Sequence, residues 1–196
     1  GRIVSVQKSV SESIGRYYPD MRGVKKSERT PVLRQKMGEL KNVLRQLLSG
    51  LKGTTYEFEM NGNVLDARLY DTGIREVMEK VTQSKAEMLT QSDEIFRNAD
   101  YLYSTPDYGG DEMVYRWNYF YTPVNIGGEI TGVRIAVRDT VKPAESQIYN
   151  WNIKKNAALD GEGHLPSGSN SHGVSSAADG APGAPVESTI PQTPPD

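Results

Sequence analysis

Residues 1–155 lack the side chains that most often carry proton transfer, nucleophilic attack or metal binding. No cysteine occurs in the 196-residue chain, and both histidines, His164 and His172, fall after this span. That removes disulfides, thiolate zinc sites, Cys nucleophiles, Ser-His-Asp triads and His metal sites from it. What is left is the chemistry of carboxylates, amines, guanidinium groups and phenols. The candidates are Glu76, Glu79 and Lys80 in one short segment, with Arg75 beside them, then Arg134, Arg138 and Tyr149. A carboxylate can act as base, a Lys or Tyr of adjusted pKa as acid, and Arg as a clamp on developing negative charge.

Each candidate has a plainer reading. Arg75, Glu76, Glu79 and Lys80 equally fit a solvated helix face. Arg134 and Arg138, four apart on a strand, share a face, where they either clamp phosphate or pair with Glu129 and Asp139. Trp117, Tyr119 and Tyr121 share a face too, for stacking on bases, for core packing or for cross-strand pairs. Asp107, Asp111 and Glu112 crowd one loop but lack a full calcium-loop pattern, so neither a metal nor a cofactor is assigned.

These residues must be positioned by the elements around them. The stretch from Tyr115 to Ile153 holds three β-rich runs separated by Ile126-Gly127-Gly128-Glu129 and by the polar 139–144 segment with Pro143. Short connections favour antiparallel pairing, so a three-stranded meander is expected. Residues 54–70 read as a hairpin. Tyr56, Phe58 and Met60 alternate with Glu57 and Glu59, and Asn61-Gly62 suits a type I′ turn; Ala67 and Leu69 return. Thr30-Pro31 reads as a helix start, followed by a stripe of Leu33, Met37, Leu40, Leu44, Leu47 and Leu51. After Asp71-Thr72-Gly73, Ile74, Val77, Met78 and Val81 predict a short amphipathic helix. Ser84-Lys85-Ala86-Glu87 matches a capping box for another helix through Ala99, with an interruption over residues 90–93. Tyr101-Leu102-Tyr103 reads as a strand.

The order predicts an α+β domain over residues 30–155: an antiparallel sheet, hairpin plus C-terminal meander, packed against N-terminal and central helices. A polar segment, 1–29, precedes it, with a short helix near Val10–Tyr17. Residues 156–196 hold six Gly, six Pro and six Ser and no aromatic residue, a composition expected to stay disordered. Charge is uneven. Residues 1–53 carry 12 Lys/Arg against 4 Asp/Glu. Such a basic third suits an anionic partner or a solvated helix surface. No run approaches a membrane span and no signal peptide is visible, so a cytoplasmic setting without a membrane partner is expected. The chain begins at Gly1 rather than Met, as expected of a piece cut from a longer protein.

Ile95-Phe96-Arg97-Asn98-Ala99-Asp100-Tyr101 resembles the helix-to-strand step of domains in phage-borne polyvalent proteins. Trp117-Asn118-Tyr119-Phe120-Tyr121-Thr122-Pro123-Val124, the Gly127-Gly128 pair and Val133-Arg134-Ile135-Ala136-Val137-Arg138 are similar to theirs as well. The relatives are the large polyvalent protein-associated domain 3 and phage nucleases of the barnase–EndoU–colicin–RelE class, over roughly residues 40–153. The resemblance implies metal-independent RNA cleavage, often by a toxin-like effector with an immunity protein or other protein partner. Related sequences carry a Ser-His or Lys-His pair after the first hairpin, and the matching positions here are Glu79-Lys80, without the histidine. On this reading Glu79, Lys80, Arg134, Arg138 and Tyr149 are catalytic, and Arg75, Arg116 and Trp117 contact nucleic acid. Two other readings stand beside it: a non-catalytic protein- or nucleic-acid-binding module, and self-association through the leucine stripe.

Overall fold

The computed structural model describes residues 2–154; the expected tail, 156–196, lies outside the described residues. The chain runs β1 (Val4–Ser5), α1 (Lys8–Gly15), α2 (Lys26–Ser49), β2 (Thr55–Met60), β3 (Asn63–Leu69), α3 (Asp71–Val77), α4 (Gln83–Leu89), α5 (Ser92–Arg97), β4 (Asp100–Pro106), β5 (Val114–Ile126), β6 (Glu129–Thr140) and β7 (Glu145–Lys154). This is the expected α+β class, with the expected hairpin and meander. Asn61 and Gly62 take the positive φ values, 51° and 83°, that a type I′ turn demands.

The strands form one seven-stranded sheet in the order β1-β5-β6-β7-β3-β2, with β4 also paired to β5. It is mixed rather than purely antiparallel. Hairpin and meander are joined by a parallel pairing of Ala67–Leu69 with Ser146–Ile148, and β1 lies parallel to β5 at Val124. Thus residues 4–15, read as part of a polar lead-in, supply a strand, a helix and the buried side chains Val4 and Ile14. The sheet curls until β2 meets β4 and β5: the tilted rings of Phe58 and Phe120 of β5 lie 4.6 Å apart, and the hydroxyl of Ser104 of β4 is 3.9 Å from the Met60 sulfur.

The helices fill the inner face. Trp151 of β7, fully buried, donates its indole N–H to Ser92 Oγ at 3.0 Å and meets Phe96 edge-on at 5.0 Å; Phe96 in turn meets Tyr56 at 5.0 Å. Three aromatic rings and a buried hydroxyl therefore pin α5 between β2 and β7. The α2 stripe is shifted from expectation. Leu40, Leu44 and Leu48 are buried, whereas Leu33 and Leu47 are exposed. A strict four-residue spacing follows an inclined ridge of the helix rather than a heptad seam. Its start also lies earlier, at Lys26, with Glu28 in the first turn favouring the dipole. α4 begins at Thr82, whose hydroxyl accepts from Lys85 N–H. Ser84 is not the cap, because Glu87 is buried and turned to Ser11 and Gln83 instead.

β3 leaves the sheet at Leu69, and α3 takes its place beside β7. Gly73 makes this approach possible: a Cβ there would lie 2.3 Å from the Ile148 carbonyl oxygen. Gly73→Ala is expected to lower the unfolding free energy in urea by roughly 2–3 kcal/mol. Gly38, in open space on α2, is the contrast; Gly38→Ala is expected to raise it by about 0.5–1 kcal/mol.

Candidate nucleic-acid interface

Side chains alternate across the meander, so each strand divides between an inner and an outer face. Asn118, Phe120, Val124, Val133, Ile135, Val137 and Trp151 are buried on the inner side. Trp117, Tyr119, Tyr121, Arg134, Arg138, Asn150 and Asn152 belong to the outer one. Register fixes the rows: Tyr121, Arg134 and Asn152 stand side by side, as do Trp117, Arg138 and Gln147. A bulge between Ala136 and Val137 gives β7 an extra residue at Tyr149, re-aiming that ring toward Arg138 and Trp117.

The outer face is a lattice of rings and guanidinium groups. Trp117 meets Tyr149 edge-on at 5.3 Å, and Tyr103 packs on Tyr119 at 4.9 Å. Arg138 lies over Tyr149 at 4.7 Å, and Arg134 over Tyr119 at 5.3 Å. The shared aromatic face thus serves cross-strand pairing rather than the core. Neither Arg134 nor Arg138 forms an ion pair among the described residues; Arg138 donates twice to Gln147 Oε1, at 2.9 and 2.7 Å. Lys154 continues the row. Partial burial, and then the nearby Arg134 charge, lower its pKa.

At one end of the face Trp117 donates its indole N–H to Asp107 Oδ1 at 2.7 Å. That bond, helped by backbone N–H groups of the 109–111 turn, holds the Asp107 pKa below the usual carboxylate value. Asp107 is therefore a turn-former that anchors Trp117. At the other side stand the carboxylates of α3. Burial and then the Glu76 charge push the Tyr149 pKa up, against the pull of Arg138, so the phenol keeps its proton. Glu79 and Lys80 stand exposed past the end of α3, and Lys80 takes a φ of 45°. They line a cavity of about 630 Å³ together with Glu76, Lys85, Glu129, Asn150 and Asn152. Lys85 Nζ donates to the Glu79 carbonyl oxygen at 2.9 Å and fastens the turn that carries Glu79 and Lys80. Burial lowers the Lys85 pKa.

The structure thus gathers Arg134, Arg138, Tyr149 and Trp117 on one face, with Glu79 and Lys80 at its α3 side. Arg75 is placed elsewhere, in a groove against Lys41 and Arg45 of α2. Arg116 alternates with Trp117 and turns to the inner face, where its Nε donates to the buried Asp139 at 2.7 Å. Asp139 also accepts from Asn118 Nδ2 at 2.9 Å and Ser146 Oγ at 2.6 Å. Asp139 therefore serves Arg116 rather than Arg138. Sequence reasoning passed over Lys154, Lys85, Asn150 and Asn152. The alternation of the two asparagines with Trp151 was the signal available for them.

This α+β body, with a curled mixed sheet and an aromatic-arginine outer face, matches no solved structure and no curated protein. Residues 35–149 match the large polyvalent protein-associated domain 3, and the chain belongs to that family.

Two outcomes test these assignments. Asp139→Ala strands Arg116, Asn118 and Ser146 together, and is expected to cost about 3 kcal/mol in denaturant unfolding. For Asp107 the folded pKa lies below the unfolded one. Its contribution is present above pH 3.8 and is lost only as pH falls through the lower folded value. The indole N–H resonance of Trp117 is expected to hold its position from pH 7 to 3.8 and to move only below that.

Proposed function

We propose that this domain binds single-stranded RNA as a module of a phage polyvalent protein, with the strand laid across the outer face of β4, β5, β6 and β7. The observation that carries this reading is the row Arg138, Arg134 and Lys154, without ion-pair partners among the described residues, set beside the half-exposed rings of Trp117, Tyr121 and Tyr149, with the buried Tyr119 ring beneath Arg134. A single strand offers what such a face takes. Its phosphates meet the cations, and its unstacked bases lie on ring and guanidinium planes. A duplex keeps its bases stacked and offers only the phosphates.

A second reading, metal-independent cleavage, is supported by one specific juxtaposition. Glu76, Arg138 and the protonated Tyr149 phenol stand together beside Glu79 and Lys80. In that reaction Glu79 takes the proton of a ribose 2′-OH, whose oxygen attacks the adjacent phosphorus. Arg138 and Arg134 hold the equatorial oxygens, and Lys80 or Tyr149 gives a proton to the departing 5′-oxygen. No histidine is needed for this balance of protons.

The test is fluorescence anisotropy with a labelled single-stranded RNA octamer in EDTA, over a series of salt concentrations. Arg134→Ala and Arg138→Ala are each expected to weaken binding and to reduce the salt slope by about 0.7. Trp117→Ala is expected to weaken binding by about 1–3 kcal/mol with the slope unchanged. Equal binding by wild type and the three variants, or none at low salt, would overturn the proposal. The same samples run on a gel decide the second reading: cleavage by wild type that Glu79→Gln abolishes supports it, and intact RNA removes it.

A further inference from the structure

The cavity beside α3 has a property that the RNA reading does not use. Asn152 and Ile153 are consecutive on β7 and point to opposite faces of the sheet, yet both line it. A cavity lined from both sides of a strand sits at the strand's edge, not over either face. Pairing explains the vacancy beside that edge. β6 accompanies β7 along one side as far as Lys154, whereas β3 accompanies the other side only at Ser146–Ile148. α3 covers the edge where Gly73 touches Ile148, and then diverges. From Asn150 to Lys154 no described strand pairs with this side, so every second residue presents its N–H and C=O to the opening.

We infer that this edge of β7 takes an extended, basic peptide segment as an added strand, in the lane that β3 vacates. An added strand would lie about 4.8 Å from β7, and five residues of β7 give it about 17 Å of edge. The cavity's wall sets the chemistry of the partner. Glu76, Glu79 and Glu129 line it with Lys80 and Lys85, three carboxylates to two ammonium groups, which leaves an excess of one negative charge. Lysine or arginine at alternate positions of the added strand would meet these carboxylates, while main-chain bonds to Asn150 and Asn152 supply affinity independent of sequence. The guanidinium groups of Arg134 and Arg138, which do not line the cavity, and the main-chain edge of β7 then serve different ligands.

The experiment uses a pooled library of labelled octapeptides that alternate Val or Thr with Lys, a matched library with Glu in place of Lys, and the Lys library N-methylated at alternate amides. Anisotropy is expected to show the Lys library binding at least about tenfold tighter than the Glu library, and N-methylation removing the signal. In parallel, hydrogen exchange is expected to slow at alternate β7 amides between Asn150 and Lys154 when the Lys peptides are added. Glu129→Lys, on the exposed hairpin end, is expected to narrow or reverse the preference while the fold, followed by circular dichroism, stays intact. Absence of binding by every library, binding indifferent to N-methylation, or unchanged exchange along β7 overturns the inference. These outcomes remain distinguishable from those for RNA, which is read with a separate probe and through Arg134, Arg138 and Trp117, none of which lines the cavity.

Discussion

The contact of Gly73 with the β7 main chain is the constraint on which the rest of the site depends. A strand could have continued beside β7 to its end; instead a helix enters the lane because one residue has no side chain. That choice carries Glu76, Glu79 and Lys80 to the margin of the outer face and brings Glu76 against Tyr149. The bulge at Tyr149 completes the arrangement from the other side. Together they decide which charged groups see one another.

Electrostatics on the two faces of the sheet is organised differently. On the inner side, Asp139 is buried and saturated by Arg116, Asn118 and Ser146. Such a network fixes the register of β5, β6 and β7 and leaves no capacity for a ligand. On the outer side, Arg134 and Arg138 rest on aromatic faces rather than on carboxylates. A guanidinium over a ring keeps its outward donors, so the same contact that orders the side chain leaves it able to receive phosphate.

Much of this was legible in the sequence, because strong local signals coincided with the tertiary result. Asn61-Gly62, the alternation of Tyr56 and Phe58, and the three β-rich runs needed no distant partner to be read. The sharing of a face by Arg134 and Arg138 also follows from the period of a strand. Other features depended on contacts that no local pattern encodes. Leu48 is inside and Leu47 outside, a choice between adjoining helix faces that the leucine stripe alone does not make. Arg116 and Trp117 are adjacent in sequence, yet one serves the buried Asp139 and the other the outer rings. The pairing of β1 with β5, and of β3 with β7, joins segments far apart in the chain and has no signature of its own. The gap along β7 is likewise a matter of how far a partner strand extends, which residue types do not reveal.

The two parallel joints have a kinetic meaning. Val4 meets Val124, and Ala67 meets Ser146, so both closures span most of the described chain. Hairpin and meander can each form from neighbours, but nothing unites them into one sheet until β7 is complete. Long-range parallel closure is entropically slow. A nascent chain that ends before β7 already has Phe96 and Phe120 for Tyr56 and Phe58, but lacks Trp151, the ring that closes the row on α5. Among the described strands, the last one made is the one that unites the sheet.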